Sequence, residues 1–253
     1  MYGEYSDLYA KWCACYDPMC LEIEMLKQYC DFRNSSILDI GCGTGRFMFR
    51  VLPDVKCAVG VDIDSRSIAV LRRQLESKYS EYQSKVKLEC CNIAQFSAQP
   101  DSFDFVFFTW SFYALNREEM IASLHKINSM LRKNGKMIIL QPTGGEFEKV
   151  MRLFFAEHED MDEYDTGLTL MNEVRPKSLD CVARVLIKSE FVVSDLTLFT
   201  DVLKMFAITE GGCTNEEIGH ITPQYVVDMM TRYKRENAYH MTDEVTGFVF
   251  RKR

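Results

Sequence analysis

The sequence has no C-x-x-C pair, and its four histidines stand far apart, so neither a structural zinc site nor the H-E-x-x-H metalloprotease pattern can be drawn. A metal requirement finds no support. No apolar run approaches the roughly 18 to 20 residues that a membrane-spanning helix needs. Positive charge is in deficit: 30 Lys and Arg stand against 37 Asp and Glu, a net charge of −7, which argues against a nucleic-acid partner. The start, "MYGEYSDLYAKW", has neither the basic-then-apolar order of a secretory signal nor the arginine-rich character of a transit segment. Internal repeats, low-complexity tracts and interdomain linkers are missing too.

Present instead are 253 residues, 47% hydrophobic and 26% charged, the proportions of an ordinary water-soluble protein with enough chain for one large α/β domain. The ten cysteines are scattered, several within apolar runs, as expected of free thiols in a reducing cytosol; a cytoplasmic location follows as an expectation.

Apolar β-type runs recur at 36–40 ("SILDI"), 57–63, 85–91, 103–110 and 136–141, with helical spacing at 65–79 and 117–132 between them. That is the βαβ rhythm of a parallel sheet. The pattern divides the domain into a helical, aromatic-rich lead-in (1–33), a core (34–142), a substrate-side insertion (143–190) and C-terminal strands with a helical insert (191–253). Within the last two segments it predicts a helix near 177–189, a strand over 191–203, a helix near 223–237 and a closing antiparallel strand at 244–252.

In an open parallel sheet, ligands gather at the carboxyl ends of the strands. "ILDIGCGTGRF" places Gly41, Gly43 and Gly45 in such a turn, where the backbone can take positive φ, a ligand can approach closely, and N–H groups of the next helix can face it. The third glycine falls one position too early for the dinucleotide G-x-G-x-x-G, and no G-K-[ST] follows, so neither a nicotinamide site nor a P-loop is met. Asp62, 17 residues beyond Gly45 at the end of the second strand, suits the two hydroxyls of a ribose.

Taken in order, "ILDIGCGTGRF", "VGVDID", "ECCNIAQF", "FDFVFFTWSFYAL" and "LRKNGKMIIL" resemble the class I S-adenosylmethionine-dependent methyltransferases of the small-molecule type over about 110 residues. The resemblance implies a Rossmann-like, doubly wound seven-stranded sheet, mostly parallel with an antiparallel final strand, carrying a helical lid and insertions. It implies S-adenosylmethionine as methyl donor and S-adenosylhomocysteine as product. It also implies cofactor-binding roles for Asp39, Gly41, Gly43 and Gly45 (methionine portion), Asp62 (ribose), Ile63 (adenine face), and Asn92 with Ile93 (adenine edge). Asn92 stands where the family usually carries an acid. Thr109, Trp110 and Tyr113 match the wall beside the transferring methyl.

The aromatic ladder Tyr5, Tyr9, Trp12 and Tyr16 is read equally as a lid over the cofactor, with Tyr9 a contact, and as a helix packed on the core. The acidic stretch "EHEDMDEYD" would favour a cationic or amine acceptor, although so dense a run of like charges usually stays in water. Displacement at a sulfonium needs positioning more than a strong base, and Tyr113 and His158 are the weak candidates for a catalytic group. The segment "TWSF" departs from the Asn-Pro-Pro-Tyr pattern of base and amide methylases, which favours a small-molecule O, N or C acceptor. Protein or RNA methylation and a non-catalytic scaffold are the alternatives.

Overall fold

The computed structural model describes residues 3–155 and 175–253. β1 (Ser36–Ile40) is buried at every position, as its unbroken "SILDI" run requires of a strand covered on both faces. It pairs in parallel with β2 (Cys57–Asp62) and β4 (Phe103–Thr109), while β3 (Val86–Cys90) extends one edge and β5 (Leu131–Gly145) the other. β8 (Ala238–Lys252) then runs antiparallel between β5 and β6 (Leu179–Val193), and a two-residue β7 (Lys234–Arg235) hairpins onto its start. The order is β3-β2-β1-β4-β5-β8-β6, seven long strands as expected and one short addition.

One sheet face is covered by α2 (Leu21–Leu26), α3 (Arg46–Val51) and α4 (Ser65–Lys78) through Ile23, Leu26, Phe47, Val51, Leu71 and Leu75. The other is covered by α5 (Arg117–Met130) through Met120, Leu124, Ile127 and Met130. Caps fix where these crossovers begin: Asp64 accepts from the N–H groups of Arg66 and Ser67, and Asn116 with Glu119 closes a capping box at α5. A third apolar cluster sits over the carboxyl edge. There α1 (Ser6–Cys13), α6 (Glu146–Phe155), α7 (Leu196–Thr209) and α8 (Pro223–Met230) pack Trp12, Tyr16, Val150, Phe199, Phe206 and Met230 together with Phe191. Among the described residues no helix is long and apolar enough to cross a membrane.

Two expectations fail. The helix predicted near 177–189 is strand β6, and most of the strand predicted over 191–203 is helix α7. Burial along β6 alternates from Val185 through Ile187, Ser189 and Phe191 to Val193, but a register shift between Cys181 and Ala183 breaks the period and imitates helical spacing. In α7, β-type composition hides a period of 3.6 at Phe199, Val202, Leu203 and Phe206, and the Asp195 side chain caps the helix on the N–H groups of Thr197 and Leu198. The predicted 223–237 helix stops at Met230, and the closing strand starts at Ala238 rather than 244.

Candidate functional site

The glycine turn lies where β1 ends, beside the carboxyl ends of β2 and β4. Gly41, Gly43 and Gly45 all take positive φ. Their N–H groups, with that of Cys42, are spent inside the protein: Gly41 and Cys42 donate to the Val61 carbonyl, Gly45 to the Cys42 carbonyl, and Gly43 to Asp62 Oδ2 at 2.7 Å. The Gly43 bond ties the loop to the acid of the next strand. Asp62 also accepts from Asp64 N–H at 2.8 Å. Burial raises its carboxyl above the ordinary value, and these two N–H groups oppose the shift.

A cavity of about 570 Å³ opens along this edge. Of the residues expected to hold the cofactor, Gly41, Gly43, Asp62, Ile63, Asn92, Ile93, Trp110 and Tyr9 line it. Gly45, Asp39, Thr109 and Tyr113 lie outside the lining, Tyr113 beside Tyr9. The aromatic ladder divides: Trp12 and Tyr16 are core residues against Phe147 and Phe191, and only Tyr9 reaches the cavity. His158 and the acidic stretch around it fall outside the described residues. His125 is exposed on α5, His220 is exposed, and His240 is 3.1 Å from Glu190 Oε2.

Sequence reading passed over three side chains in or near this region, Arg46, Asp243 and Glu119, of which Glu119 lines the cavity. Arg46, the first residue of α3, pairs with buried Glu22 at 2.6 Å and spreads its guanidinium over the Trp110 ring at 4.8 Å. Burial opposes its charge, but Glu22, together with Cys13 and Tyr9, more than compensates and holds its pKa above the ordinary value. Next to it Asp39 is fully buried, with no partner for either oxygen among the described residues. Burial pushes its carboxyl up to about 7 against the pull of Arg46. Asp243, opposite Gly145 of β5 and Ser189 of β6, repeats the pattern: 1% exposed, both oxygens unpartnered among the described residues, and pushed up to about 7 by burial with Glu22 adding to it.

Orphaned buried groups of opposite sign beside a glycine turn suit a zwitterion. Asp39 presents an acid, Arg46 a free Nη2, and Trp110 an unpartnered indole N–H. An α-amino-acid end offers the ammonium and carboxylate these groups lack, and a ribose offers hydroxyls to Asp62. The residues present thus fit an adenosyl amino acid.

Residues 37–135 match the family described as "Methyltransferase domain". The match covers 99 of the 253 residues and makes this segment similar to methyltransferase domains. The chain is 30% identical over 108 residues to the N-terminal Xaa-Pro-Lys N-methyltransferase 1-B of Xenopus laevis, a match covering 42% of this chain and 47% of that protein. The chain thus spans about half the length of the curated relatives it matches. Among solved structures, the N-methyltransferase NodS of Bradyrhizobium japonicum superposes with a TM-score of 0.52 at 15% identity, over 92% of this chain and 93% of that one. The [4+2]-cyclase SpnF superposes with a TM-score of 0.56 at 15% identity, over 93% and 80%. The methyltransferase fold thus extends well beyond the matched segment, and a cyclase on the same fold shows that fold does not fix the reaction.

Proposed function

We propose that the chain transfers a methyl group from S-adenosylmethionine to a small-molecule acceptor, with nitrogen favoured over oxygen or carbon. The observation that carries the cofactor half is the cavity running from Gly41 and Gly43 past Asp62 to Asn92, with the orphaned, buried Asp39 and Arg46 beneath its glycine turn. When bound, the cofactor supplies a methyl already activated by the sulfonium charge. The protein's own residues then position and desolvate: Asp39 and Arg46 take the amino-acid end, Asp62 the ribose, Trp110 and Tyr9 wall the cavity, and no strong base is required.

Nitrogen is favoured by Asp243. A buried carboxyl at the carboxyl edge of β5, behind the residues that line the cavity and without a partner among the described residues, suits an ammonium or amine far better than an alcohol. A second reading, methylation of a protein amino terminus, draws on the relative named as an N-terminal Xaa-Pro-Lys N-methyltransferase. Transfer of tritium from methyl-labelled S-adenosylmethionine to separate pools of small amines, phenols and carboxylates, and Xaa-Pro-Lys peptides discriminates the two. Label in the amine pool is the expected result. Label confined to the peptides would replace the small-molecule reading with the second one.

A further inference from the structure

The sheet order dictates how an adenosyl ligand lies. With its amino-acid end at the glycine turn after β1 (Gly41, Gly43) and its ribose at β2 (Asp62), as proposed above, its base would fall over the end of β3, where Asn92 lines the cavity. The 6-amino group of adenine is a hydrogen-bond donor and needs an acceptor there. Asn92 is the weaker acceptor there: its Oδ1 is a neutral amide oxygen that already takes the Ala94 N–H at 2.8 Å, closing a local turn. Its Nδ2, a donor, points to Glu119 Oε1 at 3.4 Å.

Glu119 comes from a different element, the first turn of α5. Its Oε2 accepts from the Asn116 N–H at 3.1 Å in the capping box, and its own backbone N–H donates to Asn116 Oδ1 at 3.0 Å, so backbone and carboxylate are each tied to the cap. Oε1 is left toward the cavity that Glu119 and Asn92 line together. A carboxylate accepts only, and each of its oxygens takes more than one hydrogen bond.

We propose that Glu119 is the base-selecting residue of this site, accepting a hydrogen bond from the adenine 6-amino group on Oε1 in place of an acid after β3. The assignment rests on the cofactor reading above. Capping alone occupies Oε2 and implies no preference among bases; an acceptor at Oε1 does. A 6-oxo base in place of adenine turns the donor into an acceptor and sets two oxygens against each other.

The test is titration calorimetry of the intact chain with S-adenosylhomocysteine and with S-inosylhomocysteine, which carries the 6-oxo base. Wild type should bind the adenosyl compound tighter by on the order of tenfold or more, the scale of one hydrogen bond to a charged group. In Glu119→Gln the helix cap survives, because glutamine serves equally at that capping position, while the amide can donate to a 6-oxo group. The preference should therefore collapse to within about threefold with the unfolding temperature unchanged. A wild-type ratio near one, or an unchanged ratio in Glu119→Gln, overturns the assignment while leaving the cofactor reading intact. Binding of neither compound to wild type overturns both.

Discussion

Two glycines of one turn serve opposite ends. A Cβ on Gly43 would meet nothing within 4 Å and would project into the cavity, whereas one on Gly45 would lie 2.6 Å from the Phe49 ring, itself stacked on Tyr79 at 4.1 Å. Gly43→Ala should therefore cost only the left-handed backbone penalty of roughly 1 to 2 kcal/mol, a drop of a few degrees in melting temperature, yet lose S-adenosylhomocysteine binding by calorimetry. Gly45→Ala adds the clash to a φ of +95° and should destabilise by more than about 2 kcal/mol, seen in urea unfolding. Equal stability of the two variants would contradict this division. At this scale much of the site was legible in sequence, because Gly41, Gly43, Asp62 and Asn92 follow strand ends whose spacing is local. Arg46 and Asp243 were not. Arg46 acquires its role from Glu22 and Trp110, and Asp243 from lying opposite Gly145 and Ser189, neighbours that only the tertiary fold brings together.

Among the elements, the N-terminal segment is held by charge as well as by rings. Asp17 accepts from the N–H groups of Leu21 and Glu22 at 2.7 and 2.9 Å, starting α2, and its carboxylate meets Arg50 of α3 at 3.2 Å. Asp17→Ala removes the start of α2 and leaves Arg50 without this acid, so a loss of roughly 3 kcal/mol is expected in denaturant unfolding. Hydrogen exchange should quicken first in residues 6–26, and since α1 carries Tyr9 over the cavity, cofactor affinity should fall with it. Uniform quickening across the sheet would instead place α1 and α2 in the same cooperative unit as the core. The core elements were readable because β1, β2, β4, α4 and α5 each keep one period from cap to end. β6 and α7 were not, since a bulge disturbs one and β-branched composition disguises the other.

Across the whole molecule, burial of unpaired acids makes stability depend on pH. A carboxyl raised from an ordinary 3.8 to about 7 binds its proton more tightly in the folded chain. Its burial therefore costs nothing below about pH 4, costs progressively more as pH rises toward 7, and levels off above that. Asp243→Asn should be more stable than wild type by on the order of 2 kcal/mol at pH 8, with the gap narrowing below pH 7 and closing near pH 4, as followed by urea unfolding at several pH values. A gap that ignores pH would show that Asp243 is paired. The same variant should lose transfer to amines, the exchange of stability for function that an unpaired buried acid at a binding edge represents.

The fold and the central claim meet in one measurement, thermal unfolding of the chain with saturating S-adenosylhomocysteine or NAD, in wild type and Asp62→Ala. A ligand at 100 times its dissociation constant stabilises by about 2.7 kcal/mol, or roughly 5 to 10 °C in a chain of this size. The account predicts that rise with S-adenosylhomocysteine, none with NAD, and its loss in Asp62→Ala. A cooperative transition that S-adenosylhomocysteine leaves unmoved in wild type would contradict it.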